Sequence, residues 1–111
     1  MMTDDDAMKC IDYIRDNAPK YAAAKARRVQ IENGLKSCKA KLMAEETGTL
    51  GAKEIYAYAH PDYETLINGL KEAVQIEEEI KHRMDAAKLK FEYWKVQSFN
   101  QRTETRLMHN V

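Results

Sequence analysis

Glu79-x-x-His82 puts a carboxylate and an imidazole one helical turn apart, the spacing of the ExxH element with which helical bundles hold carboxylate-bridged metal pairs. Only one copy occurs, and both residues fall off the neighbouring Ile80/Met84/Ala87 stripe, so the further inward ligands of a buried di-metal centre are missing. His60-Pro61-Asp62 groups an imidazole with a carboxylate, but a proline in a first helical turn preceded by a polar capping side chain explains the same residues as a helix boundary. Ser37-Cys38 and Ser98 lack a visible base and the carboxylate that would orient it, which an activated nucleophile requires. Gly48-Thr49-Leu50-Gly51-Ala52-Lys53 mixes glycines with a lysine. It does not match GxxxxGK[ST] and follows a helical pattern instead of a strand, so it reads as a turn rather than a phosphate cradle. The sequence therefore predicts no catalytic residue, no metal and no cofactor, and a protein that is not an enzyme.

Binding chemistry is better represented. Lys88, Lys90, Tyr93, Trp94, Lys95, Gln97, Asn100, Gln101, Arg102 and Arg106 cluster in the closing quarter of the chain. Cations that reach phosphates beside an aromatic that stacks on a base would suit single-stranded nucleic acid. Trp94 also falls on a packing position, which makes a core or protein-contact role the competing reading. Eighteen basic and eighteen acidic residues cancel over 111 residues, so no whole-molecule attraction to DNA, RNA or an anionic membrane is implied. Charge is instead segregated along the chain. Residues 1–19 carry net −3 (five Asp against Lys9 and Arg15) and residues 84–111 net +2 (five cations against three carboxylates). Residues 20–46 are net +4 and residues 62–83 net −3, so a folded-back chain would lay opposite signs side by side.

The elements that position these residues are helices. Asp4-Asp5-Asp6 gives an acidic helix beginning suited to exposed N–H groups, followed by Met8, Ile11, Tyr13 and Ile14. Asn17-Ala18-Pro19 predicts a bend that separates this short amino-terminal helix from a second, over about residues 20–46. The second helix carries a stripe at Tyr21, Ala24, Arg28, Ile31, Leu35, Cys38 and Leu42, alternating steps of three and four as in a coiled coil. Thr47-Gly48-Thr49-Leu50-Gly51 reverses the chain, and residues 52–59 form a short helical cap. From Asp62 the same rhythm runs through Tyr63, Leu66, Leu70, Ala73, Glu77, Ile80, Met84, Ala87, Phe91 and Trp94, and ends before a fraying Met108-His109-Asn110-Val111. The fold class expected is all-α: one domain over 1–111, an elongated antiparallel helical hairpin with coiled-coil-like packing. The long helix outreaches its partner, so Met8, Ile11 and Ile14 are expected to cover Phe91, Trp94 and Phe99, with a homodimer as another source of cover.

Cys10 and Cys38 have neither CxxC spacing nor the density of a disulfide scaffold, and read as reduced thiols. With no basic n-region before an apolar run and no segment of membrane-spanning length, a cytoplasmic location without membrane contact is the expectation.

The ordered motifs Ala57-Tyr58-Ala59-His60-Pro61-Asp62-Tyr63, Gly69-Leu70-Lys71-Glu72-Ala73 and Trp94-Lys95-Val96-Gln97-Ser98 are joined by Ala18-Pro19-Lys20-Tyr21-Ala22 and Lys25-Ala26-Arg27. In this order the chain resembles small helical proteins encoded by tailed bacteriophages and prophages. The resemblance implies a helical protein of the bacterial host cell, often associated with replication or recombination regions, and carries over no catalytic residue. Phe99-Asn100-Gln101 between Ser98 and Arg102 departs from the family-like pattern. The expected function is a noncatalytic interaction or accessory module with a protein partner, and the alternative is single-stranded nucleic-acid binding through the basic aromatic segment. One structural pair is expected as well: aligning the two stripes across the turn brings Arg28 to Glu77, the charged exceptions on otherwise apolar seams.

Overall fold

A hydroxyl and a carboxylate three residues apart start the first helix. Thr3 Oγ1 accepts from the Asp6 N–H at 3.2 Å, while the Asp6 carboxylate accepts from the Thr3 N–H at 2.9 Å, a reciprocal cap for two otherwise unpaired donors. The Thr3 N–H first, and then the Thr3 hydroxyl beside it, hold the Asp6 carboxyl below its ordinary value. From there the computed structural model, which describes residues 2–109, contains three helices and, among the described residues, no strand. They are α1 (Asp4–Glu45), α2 (Leu50–Ala59) and α3 (Pro61–His109). The chain is all-α and folds back as an antiparallel helical hairpin.

The separate amino-terminal helix does not form: α1 runs unbroken through Pro19. An interior proline costs a helix about 3 kcal/mol, yet Ala7, Cys10, Ile14 and Asn17 before it continue the register of Tyr21, Ala24 and Arg28 after it, and all are buried or half-buried. Each large apolar side chain so covered is worth about 1.5 to 3 kcal/mol. A break would forfeit that register, so the local penalty is overridden.

α1 ends at Glu45, and the chain turns through residues 46–49, where Gly48 takes φ +116°, a backbone region side chains disfavour. Gly51 lies inside α2 rather than in the turn. The helical cap begins two residues earlier than expected because Thr49 is its N-cap, accepting from the Ala52 N–H at 3.2 Å. His60 ends α2 and starts α3. Its carbonyl accepts from the Tyr63 and Glu64 N–H groups at 3.1 and 3.2 Å, and its Nδ1 accepts from the Asp62 N–H at 3.1 Å. The imidazole is thus used as a cap. The expected fraying of residues 108–111 is not seen at Met108 and His109, which are helical; Asn110 and Val111 lie outside the described residues.

The chain divides into two compact units, one within Met1–Lys20 and Ile80–Val111, the other Tyr21–Glu79. In Tyr21–Glu79 every expected stripe position on α1 and α3 is buried or half-buried. Arg28 donates through Nε and Nη2 to the two Glu77 oxygens, the second at 3.3 Å, and through Nη1 to Glu32 at 2.8 Å. These contacts, Glu77 first, raise the guanidinium further above its ordinary value. Among the described residues Glu77 is the buried charged one. With Arg28 opposite Glu77, antiparallel counting places Leu35 across from Leu70 and Leu42 across from Tyr63, the expected register. α2 is pinned by fully buried Ala57, by the Tyr56 hydroxyl donating to Glu45 at 3.3 Å, and by the Lys39 ammonium 4.8 Å from the centre of the Tyr58 ring.

In the other unit Ala7 and Cys10 of α1, with Met84 and Ala87 of α3, are buried. The expected cover is corrected here: Met8, Ile11, Tyr13 and Phe99 are exposed. Of the expected covering residues only Ile14 lies on the half-buried seam. An unbroken α1 fixes the helical phase, and that phase turns positions 7, 10 and 14 inward instead of 8 and 11. Cys10 and Cys38 are both free thiols, one buried and one half-buried.

Candidate interaction surface

One face of α3 is occupied by the seam that ends in Phe91, Trp94 and Ser98. At 3.6 residues per turn the remaining side chains fall on two flanks and an outward face. The residues singled out in sequence do not share one of these. Lys88, Lys95 and Arg102, spaced by seven, line one flank. Lys90 and Gln97 line the other, Arg106 stands outside the first flank, and Tyr93 lies on the outward face. The single basic and aromatic patch expected from their proximity in sequence is thereby split across the seam.

Their side chains are also partly engaged. Trp94 is half-buried and stacks on Phe91, with ring centres 5.7 Å apart and planes 26° from parallel. Lys95 pairs with Glu92 at 3.3 Å and sits 5.6 Å from the Phe91 ring centre. Gln97 donates to the Tyr93 hydroxyl at 3.0 Å, and Arg102 Nε donates to the Ser98 carbonyl at 3.3 Å. Arg102 also lines a surface depression together with Asp4 of α1. Lys88, Lys90 and Arg106 are exposed.

Glu79 accepts from Gln75 at 3.2 Å, and both Glu79 and His82 are exposed. Among the described residues no group of three or more His, Cys, Asp or Glu side chains is placed to hold a metal ion. No helix among them is long and apolar enough to cross a membrane.

The feature that sequence reading missed is the outward face itself. Leu89, Tyr93, Val96, Asn100, Thr103 and Leu107 repeat the four-three alternation, half a turn away from the seam. Phe99 stands at its edge. Leu89, Tyr93, Val96, Phe99 and Leu107 are all exposed, from 57% for Val96 to 71% for Leu89. The signal was available: the same alternation read for the seam runs a second time along residues 89–107. Comparison with protein families, characterised proteins and solved structures found no match. The outward face of α3 has to be interpreted from its own chemistry.

Scattered exposed apolar residues are ordinary, but apolar side chains aligned on one face and rimmed by polar groups mark a place where another surface docks; here Leu89, Tyr93 and Val96 are so aligned, with Leu107 beyond the polar Asn100 and Thr103. On α3 the rim is made by Glu92 and Arg106 on one side and by Lys90, Gln97 and Glu104 on the other. An apolar row with charged flanks at heptad spacing is the surface against which a partner helix packs.

Proposed function

We propose that the protein is a noncatalytic helical interaction module that engages a protein partner through the outward stripe of α3. The observation that carries this reading is the exposure of five large apolar side chains along one helical face between Leu89 and Leu107. Rigid helices supply the scaffold, and the stripe supplies apolar area that a partner removes from water at about 25 cal/mol per Å². The motif resemblance to phage and prophage proteins supports placing that partner in a phage or prophage complex near replication or recombination. Affinity isolation with the intact chain, followed by reconstitution with the purified partner, tests the proposal. Leu89→Glu with Val96→Glu lies on the exposed face and should leave helicity unchanged while abolishing the reconstituted complex. Binding unaffected by that double substitution would remove the stripe from the function.

A second reading is single-stranded nucleic-acid binding along the Lys88/Lys95/Arg102 flank, favoured by its seven-residue spacing and by Phe99 exposed beside it. Neutralising Lys95, Arg102 and Arg106 together should then abolish an affinity that already falls steeply with salt. A titration showing no single-strand binding at low salt rejects this reading.

A further inference from the structure

We propose that the outward stripe of α3 is occupied by a second copy of the same chain, its α3 laid antiparallel along the first. This inference rests on reading that stripe as the docking surface, and names its partner. The argument comes from the order of charges beside the stripe. Along one edge the residues are Glu92, Phe99 and Arg106; along the other they are Lys90, Gln97 and Glu104. Both edges carry opposite charges at their two ends and an uncharged side chain in the middle.

A two-fold axis perpendicular to α3 near residue 98 makes each edge complementary to itself. Glu92 then faces Arg106 of the second copy, Lys90 faces Glu104, and Phe99 meets its own equivalent beside the axis. Along the stripe, Leu89 falls opposite Leu107, Tyr93 opposite Thr103 and Val96 opposite Asn100. The large apolar residues thus close both ends of the contact, and the polar Asn100 and Thr103 sit across from Val96 and Tyr93. Such an interface is isologous, so each facing pair occurs twice and one patch suffices for both subunits. A parallel arrangement aligns the edges differently, setting Phe99 against Glu104 and Glu92 against Gln97; it loses both of these ion pairs and gains only Asp85 against Lys90, outside the stripe. Charge order therefore selects the antiparallel form.

The test is sedimentation equilibrium of the full chain over a range of concentrations, with helicity checked by circular dichroism for every variant. The wild-type chain should reach a dimer. Val96→Glu, which puts two carboxylates into the contact, should weaken it on the order of a hundredfold or more. Arg106→Glu sets like charges face to face twice per dimer and should weaken it roughly fivefold to tenfold. Adding Glu92→Arg to Arg106→Glu should restore association, because the two ends of that edge then exchange signs and face each other again as opposite charges. A chain that stays monomeric up to millimolar concentration overturns the second-copy inference. A dimer indifferent to Val96→Glu, or one that the charge exchange fails to restore, overturns it as well. If the chain is monomeric but a purified partner protects residues 89–107 from hydrogen exchange, the docking surface stands and its occupant is a different protein. If no partner protects them, the docking surface falls too.

Discussion

Arg28→Met is the most direct probe of how the hairpin is held, because it keeps an apolar stem and removes the guanidinium from a carboxylate with 7% side-chain exposure. Glu77 is then left in the core without the two hydrogen bonds that Arg28 makes to it. Stranding a buried carboxylate by removing its partner costs on the order of 3 to 5 kcal/mol. The lower end applies at Glu77, since the Arg28 side chain that covers it is itself 24% exposed, giving an expected loss of about 3 kcal/mol. Glu32 is a contrasting partner: its side chain is 42% exposed and one helical turn away. Glu32→Ala should therefore cost no more than about 0.5 kcal/mol. Combining Arg28→Met with Glu77→Leu leaves no charge to strand and should return stability to within about 1 kcal/mol of the wild type. Urea denaturation followed by circular dichroism, run as a double-mutant cycle, measures all four species. A coupling energy indistinguishable from zero, or an Arg28→Met loss as small as that of Glu32→Ala, would refute the buried-pair account.

Pro19→Ala should raise stability by about 1 to 3 kcal/mol in the same denaturation assay, because α1 already runs through the site and alanine restores a backbone donor. Gly48→Ala should lower it by about 1 to 2 kcal/mol. The added methyl meets Ala52 at an ordinary 3.7 Å, so the cost lies in the +116° backbone angle. Gly34→Ala has open space and a helical backbone, and should gain about 0.5 to 1 kcal/mol. The Asp6 carboxyl is held below its ordinary value when folded. Its contribution is fully present above the unfolded value and is lost as pH falls through the lower folded one. Thr3→Ala keeps the backbone N–H and removes the hydroxyl, the second of the two Thr3 groups that lower the carboxyl, so a carboxyl-detected NMR titration should show the Asp6 midpoint rise; an unchanged midpoint would contradict the cap.

The seam was legible from spacing because an antiparallel helical pair has one repeating requirement, and Tyr21 to Leu42 and Tyr63 to Trp94 meet it at each alternating step. Arg28 and Glu77 were legible as a pair for the same reason: two charges on apolar stripes fall at corresponding distances from the turn. Pro19 misled because its local cost is visible in sequence while the packing that outweighs it on either side is not. That single error propagated, since a helix restarted after Pro19 left the phase of Met8, Ile11 and Ile14 free, whereas the continuous helix turns Ala7 and Cys10 inward. The basic cluster misled for a different reason. Residues close in sequence on a helix point around its whole circumference, and only the seam's phase tells which flank each one occupies. Thr3 and Thr49 were overlooked as caps because the acidic run after Thr3 and the glycines on either side of Thr49 drew attention instead.

The unbroken α1 sets a grammar for how the chain length can change. Deleting one residue anywhere between Asp4 and Glu45 turns all that follows by about 100° relative to all that precedes, taking one part of the seam off its partner. A seven-residue insertion nearly preserves phase, but it shifts the antiparallel register unless the opposite arm grows by the same amount. Viable length variants should then come as matched heptads in α1 and α3, while single-residue insertions and deletions collect in residues 46–49, where no helical phase is interrupted.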